Sequence, residues 1–283
     1  MPDLELSHVY YGYDKDHPED YTIADVTFSI PEGQFVGLIG QTGSGKSTLI
    51  QHLNGLLKAG KGDIRYDGTS IYSDGYDLRK LRFEVGLVFQ YPEHQLFETT
   101  VMADVCYGPK NQGLTDEEAK ARAKEAMQLV GVGEDLFDKS PFDLSGGQKR
   151  RVAIAGVLAM HPKILILDEP AAGLDPEGRE VFLDEIKALH EKTKMTVILV
   201  SHSMEDVARC ASRLLVMNRG HLIMDGTPAE IFSRTEEMNE IGLFVPQVTY
   251  LMHVLKERGM DVGDETVLTV DRAVDIITEA VHR

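Results

Sequence analysis

The stretch FVGLIGQTGSGKSTLIQHLNGLL, residues 35–57, sets an apolar run, a glycine-rich turn and a helical run in immediate succession. Within it, GQTGSGKS (residues 40–47) fits the spacing G-x-x-x-x-G-K-[ST]. Strand, loop and helix in that order are the context a phosphate-binding loop requires. Glycines let the backbone wrap a phosphate with its N–H groups turned inward, and the helix start adds a favourable dipole field. Lys46 is expected to reach the β- and γ-phosphates of a nucleotide and Ser47 to ligate Mg²⁺. Gly40, Gln41, Thr42, Gly43, Ser44, Gly45 and Thr48 complete the expected cradle. The plainer reading is a glycine-rich turn that matches by chance; the strand and helix on the correct sides weigh against it.

Three more apolar runs lie further along the chain. VGLVF ends at Gln90, ILIL at Asp168 and Glu169, and VILV at Ser201 and His202. Unalternated apolar runs suit strands buried on both faces, as in a parallel sheet. Ligands of such sheets bind beyond the carboxyl ends of the strands, where each of these runs delivers a polar residue. Asp168 is the natural second Mg²⁺ contributor. Glu169 fits a general base for an attacking water, a role that typically contributes ~10²–10⁴-fold in rate. His202 suits a hydrogen bond to the γ-phosphate, and Gln90 a metal or water ligand. Each has a plainer alternative: a carboxylate satisfied by its own turn, a histidine that only packs.

LSGGQKRRVAIAGVLA, residues 144–159, opens a second helix of unusual composition. Ser145 and Gln148 form an S-x-x-Q capping box. Yet Gly146 and Gly147 fill the first turn, at a cost of ~1 kcal/mol each relative to alanine. Bare N–H groups at a helix start make an anion site. An anion there is expected to relieve Lys149, Arg150 and Arg151, cations crowded at the wrong end of the dipole. Two phosphate-binding helix starts in one chain, with one nucleotide already wrapped by the first, point to a dimer. The second start of one subunit would cover the nucleotide held by the other.

The rest of the chain bounds these readings. Its 283 residues suffice for one large domain or two smaller ones. The net charge of −17 argues against a nucleic-acid surface and against adhesion to anionic lipid. No run approaches the ~20 apolar residues of a membrane-spanning helix. The opening MPDLELSHVY has neither a basic start nor a long apolar run, so no secretory signal is expected. Cys106 and Cys210, far apart, are expected as reduced, partly buried thiols. ELSHVYY, ADVTFSI and KGDIRYDGTS read as short strands, the last a hairpin. TDEEAKARAKEAMQLVG reads as a helix capped by Thr115 and Glu118 and stopped at Gly131. MEDVARCA reads as a helix, RLLVMNRGHLIMDG as two strands around a turn, and TPAEIF as a capped helix with Pro228 at its first position. Two amphipathic helical patterns follow, PQVTYLMHVLKERG and TVDRAVDIITEAVHR.

With these motifs in order, the sequence resembles the ATP-binding-cassette (ABC) ATPases over roughly residues 4–232. LSGGQ is similar to that family's signature, and an N-terminal aromatic, GQTGSGKS, Gln90, ILILDEP, AAGLD and VSH occur in the family's order. The resemblance implies an α/β fold of the P-loop NTPase, ABC ATPase type. It comprises a mixed, largely parallel core sheet, an N-terminal antiparallel β subdomain and a helical insertion at about 91–160. Residues 233–283 form a small helical appendage. It implies ATP and Mg²⁺ as ligands, with Tyr13 stacking on adenine (Tyr11 if the register differs). Gln90 becomes the lever that senses a membrane partner. Ser145, Gly146, Gly147 and Gln148 cover the opposite subunit's γ-phosphate; Asp175 is the dimer-crossing aspartate. Ala171 and Ala172 depart from a family that often has Thr or Ser nearby.

FQYPEHQLFETTV and the segment 144–176 resemble the ATPases of energy-coupling factor (ECF) transporters and their cobalt- and nickel-importer relatives, the second of the paired ATPases above all. VPQVTYL and TVDRAV in the tail do so too. That resemblance implies a peripheral protein on the cytoplasmic face of the cell membrane. Its partners would be a second ABC ATPase in a heterodimer, a transmembrane coupling protein and a membrane substrate-binding protein. Leu96 and Phe97 are candidates for the apolar contact with the coupling protein. The appendage, 233–283, serves either dimerisation or the capping of its own domain. A soluble non-transport ABC ATPase, a small-molecule kinase and an ATP-regulated binding module are the rival readings. The kinase leaves LSGGQ and the His202 strand unexplained.

Overall fold

A computed structural model describes residues 3–14 and 20–282. Met1, Pro2 and Arg283, within the expected domain bounds, lie outside the described residues.

Two sheets organise the chain. Strands β1 (Leu4–Tyr11), β2 (Ile23–Ile30), β4 (Lys61–Tyr66) and β5 (Thr69–Ser70) pair antiparallel in the order β2-β1-β4-β5. β2 alternates buried and exposed residues from Ala24 on, as a sheet with one wet face requires. The larger sheet runs β10-β9-β3-β8-β7-β6. Its members are β3 (Phe35–Gly40), β6 (Val85–Val88), β7 (Ile164–Asp168), β8 (Thr196–Val200), β9 (Arg213–Asn218) and β10 (His221–Gly226). The five from β6 to β9 pair parallel; β10 returns antiparallel around Arg219 and Gly220, both with positive φ.

Each central strand serves two cores at once. Phe35 and Ile39 of β3 face one, Val36 and Leu38 the other; Leu165 and Leu167 of β7 oppose Ile164 and Ile166 in the same way. That double burial is why these runs show no alternation in the sequence. The helices α1 (Lys46–Leu53) and α2 (Leu78–Glu84) pack with the core between the sheets, through Leu49, Leu53 and Leu81. The other core takes the helical subdomain: α3 (Val101–Asn111), α4 (Asp116–Leu129) and α5 (Gly146–Leu158). It also takes α6 (Pro176–Thr193), α7 (Met204–Cys210) and α8 (Pro228–Phe232). Capping boxes close the starts of α4, α5 and α8. Cys106 and Cys210 are free and buried.

Beyond residue 232 the chain first packs with the main core and then forms a core of its own. Met238 of α9 (Thr235–Glu240) and, after it, Leu243 and Val245 still belong to the main core. A separate core begins only with α10 (Gln247–Glu257) and α11 (Val270–Val281), where Met252, Val262, Val267 and Ala273 meet. Residues 233–245 are apolar enough at those three points to stay with the body. Among the described residues, no helix is long and apolar enough to cross a membrane.

Candidate functional site

The glycine-rich loop leaves the buried strand β3 and runs into α1 without a side-chain cap. Gly45, at φ 100°, takes the N-cap position in the left-handed region, so the first N–H groups of α1 have no competing side-chain acceptor. A Cβ at Gly45 would stand 2.7 Å from the Thr22 carbonyl oxygen, so the position admits only glycine. Lys46 bends back over the loop, its Nζ donating to the Gly40 and Gln41 carbonyls at 2.7 and 3.0 Å. Burial lowers the pKa of the Lys46 ammonium, and the Glu169 and Asp168 carboxylates oppose that effect.

The strand ends meet this loop. Thr22, Thr42, Gly43, Gly45, Lys46, Ser47, Thr48, Gln90, Asp168, Glu169 and His202 line one cleft of about 480 Å³. Asp168, buried at the end of β7, has its carboxyl pushed up by burial, against the lowering effect of the Ser47 hydroxyl. Glu169 sits at φ 49°, outside the region a non-glycine residue prefers. Its N–H donates to the Val200 carbonyl at 3.0 Å, and its own carbonyl accepts from the Ala172 N–H at 3.0 Å. Its carboxylate meets Nδ1 of the exposed His202 ring. A carboxylate held this way can accept a proton from water at the open side of the cleft.

Tyr13 is 58% exposed, with its hydroxyl 3.2 Å from Thr48 Oγ1 at the start of α1. Tyr11 instead packs edge-on to Tyr13 and His52 and against the core between the sheets. Tyr13 thus has the free face a planar ligand needs, and Tyr11 does not.

The second helix start stands outside this cleft. Ser145 accepts from the Gln148 N–H at 3.3 Å, and Gln148 Oε1 accepts from the Ser145 N–H at 3.0 Å. A Cβ added at Gly146 or Gly147 would meet nothing within 4 Å. Asp175 caps α6, accepting from the Gly178 N–H at 2.7 Å. Of the cations expected to need an anion at this start, two are occupied elsewhere. Arg151 pairs with Glu185 at 2.7 Å, and Arg150 is buried with its Nη2 donating to the Ala172 carbonyl at 2.8 Å. Both find partners on other segments, which their sequence order alone does not show.

Several residues at or beside the cleft went unread in the sequence. Thr22 enters it from the β subdomain, at a long sequence distance and with no motif. Arg179 donates to both oxygens of the buried Asp206 at 2.7–3.0 Å, and Asp206 also accepts from Ser201 Oγ at 3.3 Å. This network ties the start of α6 to the loop that carries His202. A lone Arg and a lone Asp 27 positions apart give no signal.

A nucleotide-binding loop of this form, with strand-end Asp-Glu and a separate SGGQ helix start, defines an ATP-binding cassette. The chain belongs to the ABC transporter family, whose profile matches residues 23–172, and is an ATP-hydrolysing, ATP-binding subunit of it. It is 54% identical over 278 residues to "Energy-coupling factor transporter ATP-binding protein EcfA2" of Caldanaerobacter subterraneus subsp. tengcongensis, covering 98% of this chain and 96% of that protein. The protein of the same name from Clostridium perfringens is 52% identical over the same shares. Among solved structures, cbiO1 from Clostridium perfringens, described as part of the ABC transporter complex cbiONQ, matches with a TM-score of 0.75 and 37% identity. The match covers 88% of this chain and 98% of that one. A dimeric post-hydrolysis state of the cassette MJ0796 with ADP and Pi matches with a TM-score of 0.68 and 29% identity, over 80% and 98%.

Proposed function

We propose that this chain hydrolyses ATP to power an energy-coupling factor importer for vitamins or other micronutrients. It works as one of two paired ABC ATPases, in a heterodimer beneath a transmembrane coupling protein, with an exchangeable membrane protein that captures the substrate. It sits on the cytoplasmic face of the cell membrane. The likeness over nearly the full length to energy-coupling factor ATPases supports the importer. The cobalt-type reading has the cbiO1 likeness behind it, at lower identity.

One observation carries the mechanism. The loop, Asp168, Glu169 and His202 share one cleft, while the SGGQ helix start faces open space outside it. The phosphates of ATP lie in the loop from Gly40 to Ser47, with Lys46 on the β- and γ-phosphates and Thr48 beside them. Tyr13 stacks on the adenine. Ser145, Gly146, Gly147 and Gln148 of this chain cover the γ-phosphate held by the partner cassette, whose own signature helix start covers the one held here, and Asp175 crosses between the subunits. Glu169 takes a proton from water as its oxygen attacks the γ-phosphorus and the bond to the β–γ bridging oxygen breaks, leaving ADP and phosphate. His202 holds the Glu169 carboxylate and faces the γ-phosphate.

Mg²⁺ fits the donors present. Ser47, Gln90 and Asp168 offer only oxygen ligands on the protein side, the hard set this ion takes alongside phosphate oxygens and waters. The burial that disfavours the Asp168 carboxylate also suits a site that receives a cation. When bound, the ion neutralises charge on the phosphate oxygens.

The exposed Phe97 (56%) and Phe89, beside Gln90 and the turn at Pro92–Gln95, form the face toward the coupling protein. Leu96 is buried and serves the core. The appendage carries exposed Val270, Val274 and Val281 on α11, which support a role in pairing the cassettes.

The test is Glu169→Gln in the complex. ATP binding is expected to persist while turnover falls at least about a hundredfold. Wild-type turnover would remove Glu169 from its role. Co-purification of the tagged chain from native membranes with a second cassette and polytopic proteins tests the importer; a catch without membrane proteins would reject it.

A further inference from the structure

Arg150 is an unusual residue to find at 5% exposure. It lies in the first turns of α5, and its Nη2 reaches in two directions: 2.8 Å to the Ala172 carbonyl and 3.5 Å to Glu93 Oε1. Its Nε and Nη1 have no hydrogen-bond partner, and neither do Glu93 Oε2 and, in the same turn as Glu93, Gln95 Nε2. A buried guanidinium this poorly satisfied is a poor stabiliser, since an apolar side chain of similar volume would fill the space without the desolvation penalty. Its value lies in direction.

The direction leads to Glu169. The Ala172 N–H holds the Glu169 carbonyl, and the carbonyl of the same Ala172 accepts from Arg150. Glu169 is kept at φ 49°, a conformation that persists only where the surroundings over-determine it. On the other side, Glu93 belongs to the 3₁₀ turn Pro92–Gln95, directly after Gln90 and on the face assigned above to the membrane partner. Arg150 therefore joins three segments: the helix that opens with SGGQ, the partner-facing turn, and the turn that sets the Glu169 backbone.

We propose that Arg150 is a positioning residue for hydrolysis: it braces the Glu169 turn through Ala172, and Glu93 sets how firmly it does so. The Glu93 contact is the loose one, so a shift of the partner-facing turn changes the brace before it changes anything in the phosphate loop. This inference rests on Glu169 being the catalytic base.

The experiment uses the full chain in its membrane complex. Turnover, ATP KM and thermal midpoint are measured for Arg150→Met, Arg150→Lys, Glu93→Gln and the Arg150→Met/Glu93→Gln double variant, with Glu169→Gln as reference. Arg150→Met is expected to lower kcat about tenfold, with KM changed less than about twofold and the midpoint unchanged or raised. Arg150→Lys restores the charge but not the fork, and should recover part of that loss. Glu93→Gln is expected to lower kcat about threefold alone and to add nothing on top of Arg150→Met, as two members of one contact do.

Three results would overturn the proposal: kcat within about twofold of wild type in Arg150→Met, a joint fall of kcat, nucleotide affinity and midpoint, or losses that multiply in the double variant. If Arg150→Met fails to assemble, Arg150→Lys and Glu93→Gln decide by the same kcat-against-KM split. An inactive Glu169→Gln beside an active Arg150→Met would sink only this inference. An active Glu169→Gln would sink the reading beneath it.

Discussion

The starts of α1 and α5 are both glycine-rich and both poor in side chains, yet they are built differently. α1 has no side-chain cap, lies at the bottom of a cleft, and is surrounded by Lys46, Asp168 and Glu169. α5 is closed by its own capping box and looks into open space. A start without a cap needs an anion to satisfy its N–H groups; a start already capped is stable alone and only adds an anion contact when one is brought to it. In the function proposed above, the first is one half of a nucleotide site and the second supplies the other half to a partner.

The largest effect expected from this contrast is at the first start. Lys46→Ala should weaken ATP binding and turnover together, each by about a hundredfold or more, because the charge acts on the bound phosphates directly. Isothermal titration with ATP checks binding. Retained affinity would mean that the backbone cradle alone holds the nucleotide.

At the second start, Gly147→Glu should separate the two quantities. The added side chain meets nothing within 4 Å in the chain itself, so folding and ATP binding by the isolated subunit stay within about twofold. Turnover in the paired state should fall roughly fiftyfold, since a carboxylate is placed where the partner's γ-phosphate must come. Equal turnover would break the comparison, showing that this start is only a helix cap.

How far each half was readable in the sequence follows from the range of the interactions involved. The loop, the strand ends at Asp168, Glu169 and His202, and the boxes at Thr115, Ser145 and Thr227 depend on spacings of a few residues, which a sequence displays. α3 did not show itself: Gly108 and Pro109 near its end mask the pattern, although Pro109 is buried and the helix continues to Asn111. Arg150 reads in the sequence as a cation in need of an anion at the start of α5, because its actual partners, Glu93 and Ala172, are 57 and 22 residues away. The end of the main core at Val245 was hidden for the same reason, since Met238, Leu243 and Val245 find their neighbours across the fold.

Asp168 gives a smaller effect of opposite sign on stability and activity. Its carboxyl titrates above the usual range because it is buried, so the folded chain binds the proton more tightly than the unfolded one. The contribution of this one group to the stability of the nucleotide-free protein is then fully present at low pH and is lost as pH rises from the unfolded to the folded pKa. At neutral pH the charge is a net cost. Asp168→Asn should therefore raise the melting midpoint by a few degrees, about 1 kcal/mol, while abolishing hydrolysis. A lowered midpoint would mean that the partnership with Lys46 outweighs the desolvation of Asp168.

The smallest effect concerns the aromatic pair beside α1, where the alternatives were a neighbour apart. Tyr13 exposes a ring face and its hydroxyl contacts Thr48; Tyr11 lies against the core with His52. If Tyr13 stacks on adenine, Tyr13→Ala removes a contact made only when nucleotide is present. The ATP KM should then rise about fivefold, roughly 1 kcal/mol, with kcat and melting midpoint nearly unchanged. Tyr11→Ala should do the reverse, costing about 2 kcal/mol of stability through the lost packing and leaving KM close to wild type. The nucleobase discriminates further. Stacking depends on the area of the ring face, so Tyr13→Phe should keep the wild-type KM despite losing the Thr48 contact. If Tyr13→Phe instead matches Tyr13→Ala, the hydroxyl and its hold on the start of α1 matter more than the ring. The aromatic would then belong to the architecture of the first helix start and not to its ligand.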